Sequence, residues 1–152
     1  MSKLPYAGPG GLSVKDKIEV EVKISVDAEH LWDSTLEVYG APWIHQIITD
    51  GYESGEVEIW IDNPDWDDSM YTGKEELPGM VWSWNELPEE YKKQSTLQKT
   101  FTIEDMADAF SDILKGNKYH CGTPVSHDPE EWDSCCSDYM IQYMFFGKLV
   151  YG

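Results

Sequence analysis

Apolar and polar residues alternate in several short segments of the chain, a pattern typical of strands with one buried face. The alternation is strictest over residues 18–26, where five Ile and Val residues are separated by Glu, Lys and Ser. It recurs over residues 56–61, and the segments 43–49, 80–84 and 97–101 predict three further strands. Because Asp50-Gly51 is a turn signal between the segments 43–49 and 56–61, the middle of the chain is predicted to be an antiparallel sheet.

Apolar residues at helical spacing predict three helices. Each lies between an N-cap residue and a glycine: Asp27 to Gly40, Thr102 to Gly116, and Asp128 to Gly147. The fold class is therefore predicted to be α+β, a mostly antiparallel sheet with about three helices packed on it. We expect Trp32, Trp82 and Trp132 to belong to the core. Residues 1–14 are predicted to form a flexible arm and residues 15–152 a single domain.

The strongest functional signal in the sequence is its negative charge. The chain has 29 acidic residues against 11 lysines, contains no arginine and has a formal net charge of -18. Thirteen of the acids lie between residues 50 and 90, where Lys74 is the one base. Residues 62–76 are predicted to form a long loop, hereafter the acidic loop. Such a charge repels phosphate and attracts basic surfaces.

Two patterns that could bind metals are incomplete. His and Cys residues could supply zinc ligands, but no C-x-x-C pair exists among His120, Cys121, His127, Cys135 and Cys136. Buried thiols on a core helix are the alternative. Part of the acidic loop imitates a calcium-binding loop through Asp65, Asp67, Ser69 and Glu76, but Met70 replaces the required glycine. We predict no metal and no cofactor.

No catalytic motif is present either. The Gly-Pro-Gly-Gly segment at residues 8–11 lacks the lysine and the strand-to-helix order of a phosphate-binding loop, and no nucleophile elbow occurs. His30 is expected to be a helix-surface residue and His45 a sheet residue, rather than catalytic bases. We therefore predict that the protein is not an enzyme.

The chain ends with Asp138 and Gln142 in the last predicted helix, then Phe146-Gly147 and finally residues 150–152, Val-Tyr-Gly. This ending resembles the C-terminus shared by a group of small, mostly uncharacterised phage and prophage proteins. The order of strand, helix, central sheet and two final helices is also similar. The close match covers the ending alone, and the dense acidic loop and Cys121 depart from the group's pattern. The resemblance implies a viral origin and action inside an infected bacterium, without implying a mechanism.

The distribution of apolar residues also predicts the cellular location of the protein. No apolar run approaches the roughly 20 residues of a membrane-spanning helix, and the first dozen residues lack the apolar stretch of a signal peptide. We expect a protein of the host bacterial cytoplasm that contacts neither membranes nor nucleic acid directly.

The predicted function is that of an acidic inhibitor, similar to DNA mimics and anti-CRISPR proteins. It would bind and block a basic, nucleic-acid-handling host defence protein. Because a duplex carries one charge per about 1.7 Å of its axis, such a mimic needs many acids on one face. The candidate partner-binding residues are Glu56, Glu58, Asp62, Asp65, Trp66, Asp67, Asp68, Glu75 and Glu76. Trp66 would be an exposed aromatic anchor among them.

Three other interpretations stay open. The protein could be a sponge that sequesters a nucleotide immune signal, with aromatic rings stacked on the base and lysines on the phosphate. That function would need a lysine cluster at Lys92, Lys93 and Lys99, or at Lys115 and Lys118. It could instead be a structural or accessory phage protein. The acidic surface could also serve solubility alone.

Overall fold

The alternating segment at residues 56–61 lies at the centre of the sheet. The computed structural model describes residues 23–38, 41–79, 83–116, 119–120 and 123–151. Three antiparallel strands form the sheet in the order β1, β2, β3: Ile44–Ile48, Val57–Asp62 and Thr96–Phe101. A short second pair, β4 (Tyr119–His120) and β5 (Thr123–Pro124), is also antiparallel. The three strands predicted around residues 43–61 and 97–101 are confirmed.

Four α-helices occur in the described part of the chain: α1 (Ala28–Leu36), α2 (Glu89–Ser95), α3 (Ile103–Lys115) and α4 (Ser134–Phe146). The α+β fold class is confirmed, with four helices rather than about three, because the apolar spacing does not predict α2. Single 3₁₀ turns occupy Tyr52–Ser54, Asp68–Met70, Trp84–Glu86 and Pro129–Glu131.

Capping side chains explain where the predicted helices begin. The Asp27 carboxylate accepts the His30 backbone N–H at 2.9 Å, as predicted for α1. At α3, Thr102 and Asp105 form a reciprocal capping box. The helix α4 ends at Gly147, whose φ of +68° is a left-handed conformation that favours glycine.

The predicted start of α4 is wrong. Asp128 and Pro129 do begin a helical segment, but it is the 3₁₀ turn Pro129–Glu131, capped by Asp128. The helix itself begins at Ser134, because Asp133 accepts the Cys136 N–H at 3.1 Å and caps it. The sequence contains two N-cap signals five residues apart, and the second one starts α4.

Two other predicted strands also differ. Of residues 18–26, only 23–26 are described, and they lie outside any strand, with Ile24 exposed and Val26 packed against the core. In the segment 80–84, Trp84 begins a 3₁₀ turn and residues 80–82 lie outside the described part. The predicted arm, 1–14, and Gly40 also lie outside it. The helix α1 ends before that glycine, at Leu36.

The core lies between one face of the sheet and three helices. Its sheet side consists of Val57, Ile59 and Ile61 of β2, each at most 1% exposed, together with Phe101 of β3. Its helical side is supplied by α1, α3 and α4, through Leu31, Trp32, Met106, Phe110, Ile113, Met140 and Ile141. Each such large apolar side chain contributes about 1.5–3 kcal/mol by leaving water.

The tryptophans expected in the core are placed as follows. Trp32 is buried, and Trp132 is half-buried with its ring edge-on to Phe110, their centroids 5.0 Å apart. Trp82 lies outside the described residues. Among the described helices, none is long and apolar enough to span a bilayer.

Candidate functional site

The alternation of β2 separates its acids from the core. Glu58, Trp60 and Asp62 point away from the buried residues, onto what we call the outer face of the sheet. In register, Trp60 lies between Gln46 of β1 and Gln98 of β3. The distance from Glu56 to Asp62 along an extended strand is about 20 Å, at roughly 3.3 Å per residue.

The outer face is covered at one end by an aromatic cluster around Trp84. The His45 ring stacks on Trp84 with centroids 4.4 Å apart, and Trp60 meets Trp84 edge-on at 6.3 Å. The ammonium of Lys92 lies 5.2 Å from the centre of the Trp84 ring and 3.2 Å from the Glu89 carboxylate. This cluster attaches the segment from Trp84 to α2 onto the sheet.

Asp62, at the end of β2, is held by groups from elsewhere in the fold. Its carboxylate hydrogen-bonds to His45 Nε2, and its backbone carbonyl accepts the Tyr151 hydroxyl at 2.6 Å. The Tyr151 ring in turn stacks on Trp43 at 4.7 Å. The C-terminal segment therefore supports the point where the strand enters the acidic loop.

The acidic loop is packed against α2 rather than projecting freely. The Asp68 carboxylate accepts two hydrogen bonds, from Trp66 Nε1 at 2.9 Å and from the Tyr91 hydroxyl of α2 at 2.7 Å. Further along, the Thr72 N–H donates to Gln94 of α2 at 3.1 Å. These contacts fix the backbone from which the loop's carboxylates project.

Three aromatic rings form the interior of the loop. Trp66 and Tyr71 each pack edge-on to Tyr91, at 5.9 and 5.6 Å. Trp66 is half-buried rather than fully exposed, so the expected anchor is partly used in holding the loop. Gly73 lies so close to Tyr71 that an added Cβ would be 2.1 Å from its hydroxyl oxygen. A side chain at position 73 would therefore require the Tyr71 ring to move.

The candidate carboxylates fall into two groups. Four are hydrogen-bonded: Asp68 and Asp62 as described, Glu58 to Trp60 Nε1 at 2.5 Å, and Asp67 to the Ser69 N–H at 3.0 Å. The other four carboxylates have no hydrogen-bond or ion-pair partner among the described residues: Glu56, Asp65, Glu75 and Glu76. Hydrogen bonds restrict the positions of the first four carboxylates.

Burial, with smaller contributions from nearby carboxylates, raises the pKa values of three neighbouring tyrosines. Burial raises the pKa of Tyr91 to about 12, and its hydrogen bond with Asp68 adds to that effect. Burial likewise raises the pKa of Tyr151 to about 12, with further contributions from Asp62 and Asp65. The pKa of Tyr71 is raised by desolvation first and then by the charges of Glu90 and Glu75. A phenolate is disfavoured at each of these positions.

The structure also places the lysines that a phosphate site would need. Lys92 is buried beside Trp84 on the outer side of the sheet. Lys99 pairs in register with Ile59, and its ammonium lies 5.9 Å from the Phe145 ring on the helical side. The two are thus on opposite faces and do not form a cluster. Lys118 lies outside the described residues.

No group of three or more metal-ligating side chains occurs within the described ranges. Cys136 is buried in α4, and burial raises the pKa of its thiol to about 11. Cys135 is exposed on the same helix, so only one of the two thiols expected to be buried is buried. Cys121 lies outside the described part.

Asp138 and Gln142 of α4 form a single hydrogen-bond network with the C-terminal segment. The buried Gln142 side chain accepts the N–H groups of Val150 and Tyr151 and donates to the Tyr151 carbonyl. It also donates to Asp138 at 2.7 Å, and the same carboxylate accepts Trp43 Nε1 at 3.2 Å. This ending therefore has a structural explanation, since it holds the final residues against β2.

Sequence reasoning missed α2, which supplies Tyr91, Lys92 and Gln94 to the loop and its cluster. Pro88 precedes it, and Glu89 and Glu90 occupy its first turn, which is a helix-start signal that the sequence does contain. Comparison of the chain with family models, curated proteins and solved structures found no match.

Proposed function

We propose that the chain is a phage-encoded, non-catalytic inhibitor whose acidic loop and outer sheet face bind a basic, nucleic-acid-handling host defence protein. The observation that carries this proposal is the attachment of the acidic loop to α2 by the Asp68 and Gln94 hydrogen bonds. A mimic must present charges at defined positions, because disordered acids would lose conformational entropy on binding.

The number of acidic side chains favours a mimic of a short length of duplex. Over the roughly 20 Å from Glu56 to Asp62, a duplex would present about 12 phosphate charges. Three of the eight candidate carboxylates, Glu56, Glu58 and Asp62, lie on that stretch, so the mimic would also need the five that follow in the acidic loop and would replace a short length of duplex. The absence of arginine also removes the side chain that binds phosphate best.

The nucleotide-sponge alternative has less support. Of its proposed lysines, Lys92 and Lys99 lie on opposite faces of the sheet. The cleft of about 390 Å³ between the loop and α2 is lined by Lys74, Leu87 and Pro88 and by three glutamates, Glu75, Glu89 and Glu90. A phosphate group would meet net negative charge there.

Two charge-reversal variants test the proposal. The loop variant Asp65→Lys with Glu76→Lys changes carboxylates that have no partner among the described residues, so its fold should persist. The control variant, Glu29→Lys with Asp33→Lys, makes the same change in net charge on exposed positions of α1. Asp67 and Asp68 are left intact because they hold the loop.

The measurement is affinity capture from a bacterial lysate, eluted in steps of rising salt and analysed for proteins and small molecules. The wild-type chain and the control variant should retain a nucleic-acid-binding protein that salt releases steeply. The loop variant should lose it. Equal loss in both variants would indicate bulk charge, and a retained nucleotide without protein would support the sponge.

A further inference from the structure

The strand β1 forms one edge of the sheet and pairs with β2 alone in the described part of the chain. The Ile44 N–H donates to the Ala41 carbonyl at 3.2 Å, and the β1 backbone makes no other hydrogen bond outside the β1–β2 ladder within the described ranges. The register is regular from Gln46 to Ile48, after a bulge at His45. About half of the N–H and C=O groups of an edge strand point away from its neighbour. This edge can therefore accept a further strand.

The edge of β1 lacks the side chains that normally prevent such pairing. Residues 43–49 contain no aspartate, glutamate, lysine, arginine or proline, in a chain of which 26% is charged. The opposite edge of the sheet, β3, carries Lys99, and lysine is one of the residues that protect an edge strand. Ile48 of β1 is 47% exposed although it is a large apolar residue. Of the two edges, β1 therefore favours a further strand.

The two faces of β1 specify the side chains of the strand that would pair with it. Ile47 is in register with Ile59 and packs against the core, so an apolar residue beside it would extend the buried layer. Ile48 is in register with Glu58 on the outer face. A basic residue beside Ile48 can lay its methylene stem on that side chain and direct its charge to the Glu58 carboxylate. We propose that the edge of β1 binds an extended segment of a partner protein in which apolar and basic residues alternate.

Charge distinguishes this partner from the other possible occupants of the edge. A second copy of the chain would bring a further net charge of -18, which repels the first. Residues 18–22 of the chain alternate Ile or Val with glutamate, so a strand of that composition would bring acids towards Glu58. Like charges on neighbouring strands are destabilising. A basic strand from another protein avoids both conflicts, and its binding does not require the acidic loop.

The test is a titration of the ¹⁵N-labelled full chain with a short capped peptide in which valine and lysine alternate. The peptide should shift the amides of residues 45–49 and slow hydrogen exchange in β1 at least tenfold. One control peptide has glutamate in place of lysine, and another has N-methyl groups on its central amides, so it cannot donate to a strand. Each control should bind at least tenfold more weakly. Equal binding of either control peptide, or shifts centred on residues 62–76, would overturn the proposal.

A variant pair locates the contact. Ile48→Lys adds a charge at the edge and should weaken the valine–lysine peptide at least tenfold, whereas Gln98→Lys adds the same charge at an exposed position of β3 and should leave its affinity unchanged. The Asp65 and Glu76 loop variant should bind the peptide normally, so this site can fail while the proposed function stands. In the wild-type chain without peptide, the β1 amides that point away from β2 should exchange rapidly. Their protection at every protein concentration would indicate a segment of the same chain on the edge, protection that rises with concentration would indicate a second copy, and either result would refute the proposal even if Ile48→Lys did not fold.

Discussion

The Gln142 network offers the sharpest test of how the C-terminal segment is held. Gln142 is 3% exposed and makes four hydrogen bonds: to Asp138, to the Tyr151 carbonyl, and to the N–H groups of Val150 and Tyr151. Gln142→Met keeps the length of the side chain and removes all four. We expect the variant to be less stable, because no other side chain in the described part of the chain replaces these contacts.

The magnitude follows from the number of bonds. Each hydrogen bond contributes about 1 kcal/mol net, so the four together contribute about 4 kcal/mol. The released segment can regain some hydration, and the expected loss in the free energy of unfolding is therefore about 2–4 kcal/mol. Against a typical total of about 5–15 kcal/mol, this is a large fraction.

The assay is urea unfolding followed by tryptophan fluorescence, which the seven tryptophans make sensitive. The matched control is Gln98→Met, at an exposed β3 position. Its unfolding free energy should stay within about 0.5 kcal/mol of wild type. If Gln142→Met changed stability no more than this control, the network would not hold the C-terminal segment and our explanation of this ending would be wrong.

Three further predictions concern single contacts. Asp68→Ala removes the acceptor of Trp66 and Tyr91, so amide hydrogen exchange in residues 64–74 should accelerate, with about 1–3 kcal/mol of stability lost; unchanged exchange would contradict the loop attachment. Tyr91 and Tyr151, with pKa values raised from 10.0 to about 12, should ionise late in an ultraviolet titration. Because each pKa is higher in the folded state, their contribution to stability is complete below pH 10 and is lost between pH 10 and about 12; ionisation of every tyrosine near pH 10 would refute this. Thr102→Ala should cost about 1 kcal/mol through the lost cap of α3, and an unchanged urea midpoint would argue against it.

Local sequence patterns predict a helix or strand correctly where one signal dominates. The strict alternation at 57–61 predicts β2 because its Val and Ile residues all reach one buried layer, and Thr102 predicts α3 because its capping box is entirely local. The predicted start of α4 is wrong because Asp128 and Asp133 are both good caps, and local signals do not rank them.

The candidate site is predictable in composition but not in arrangement. The sequence identifies the acids of the loop, but Tyr91, one of the two hydrogen-bond donors to Asp68, lies 23 residues away in a helix that the apolar spacing does not predict. Similarly, the sequence spacing of Trp84 is that of a strand residue. In the structure Trp84 instead begins a 3₁₀ turn, and its ring stacks on His45. Tertiary contacts decide which carboxylates are hydrogen-bonded and which are not.

The central claim is that the acidic surface replaces a nucleic acid on its target. The most direct measurement is competition between this chain and a labelled DNA duplex for the protein that the chain captures, followed by fluorescence anisotropy. We predict that wild type and the Glu29/Asp33 control displace the duplex and that the Asp65/Glu76 loop variant does not. Binding of chain and duplex together, without displacement, would contradict mimicry.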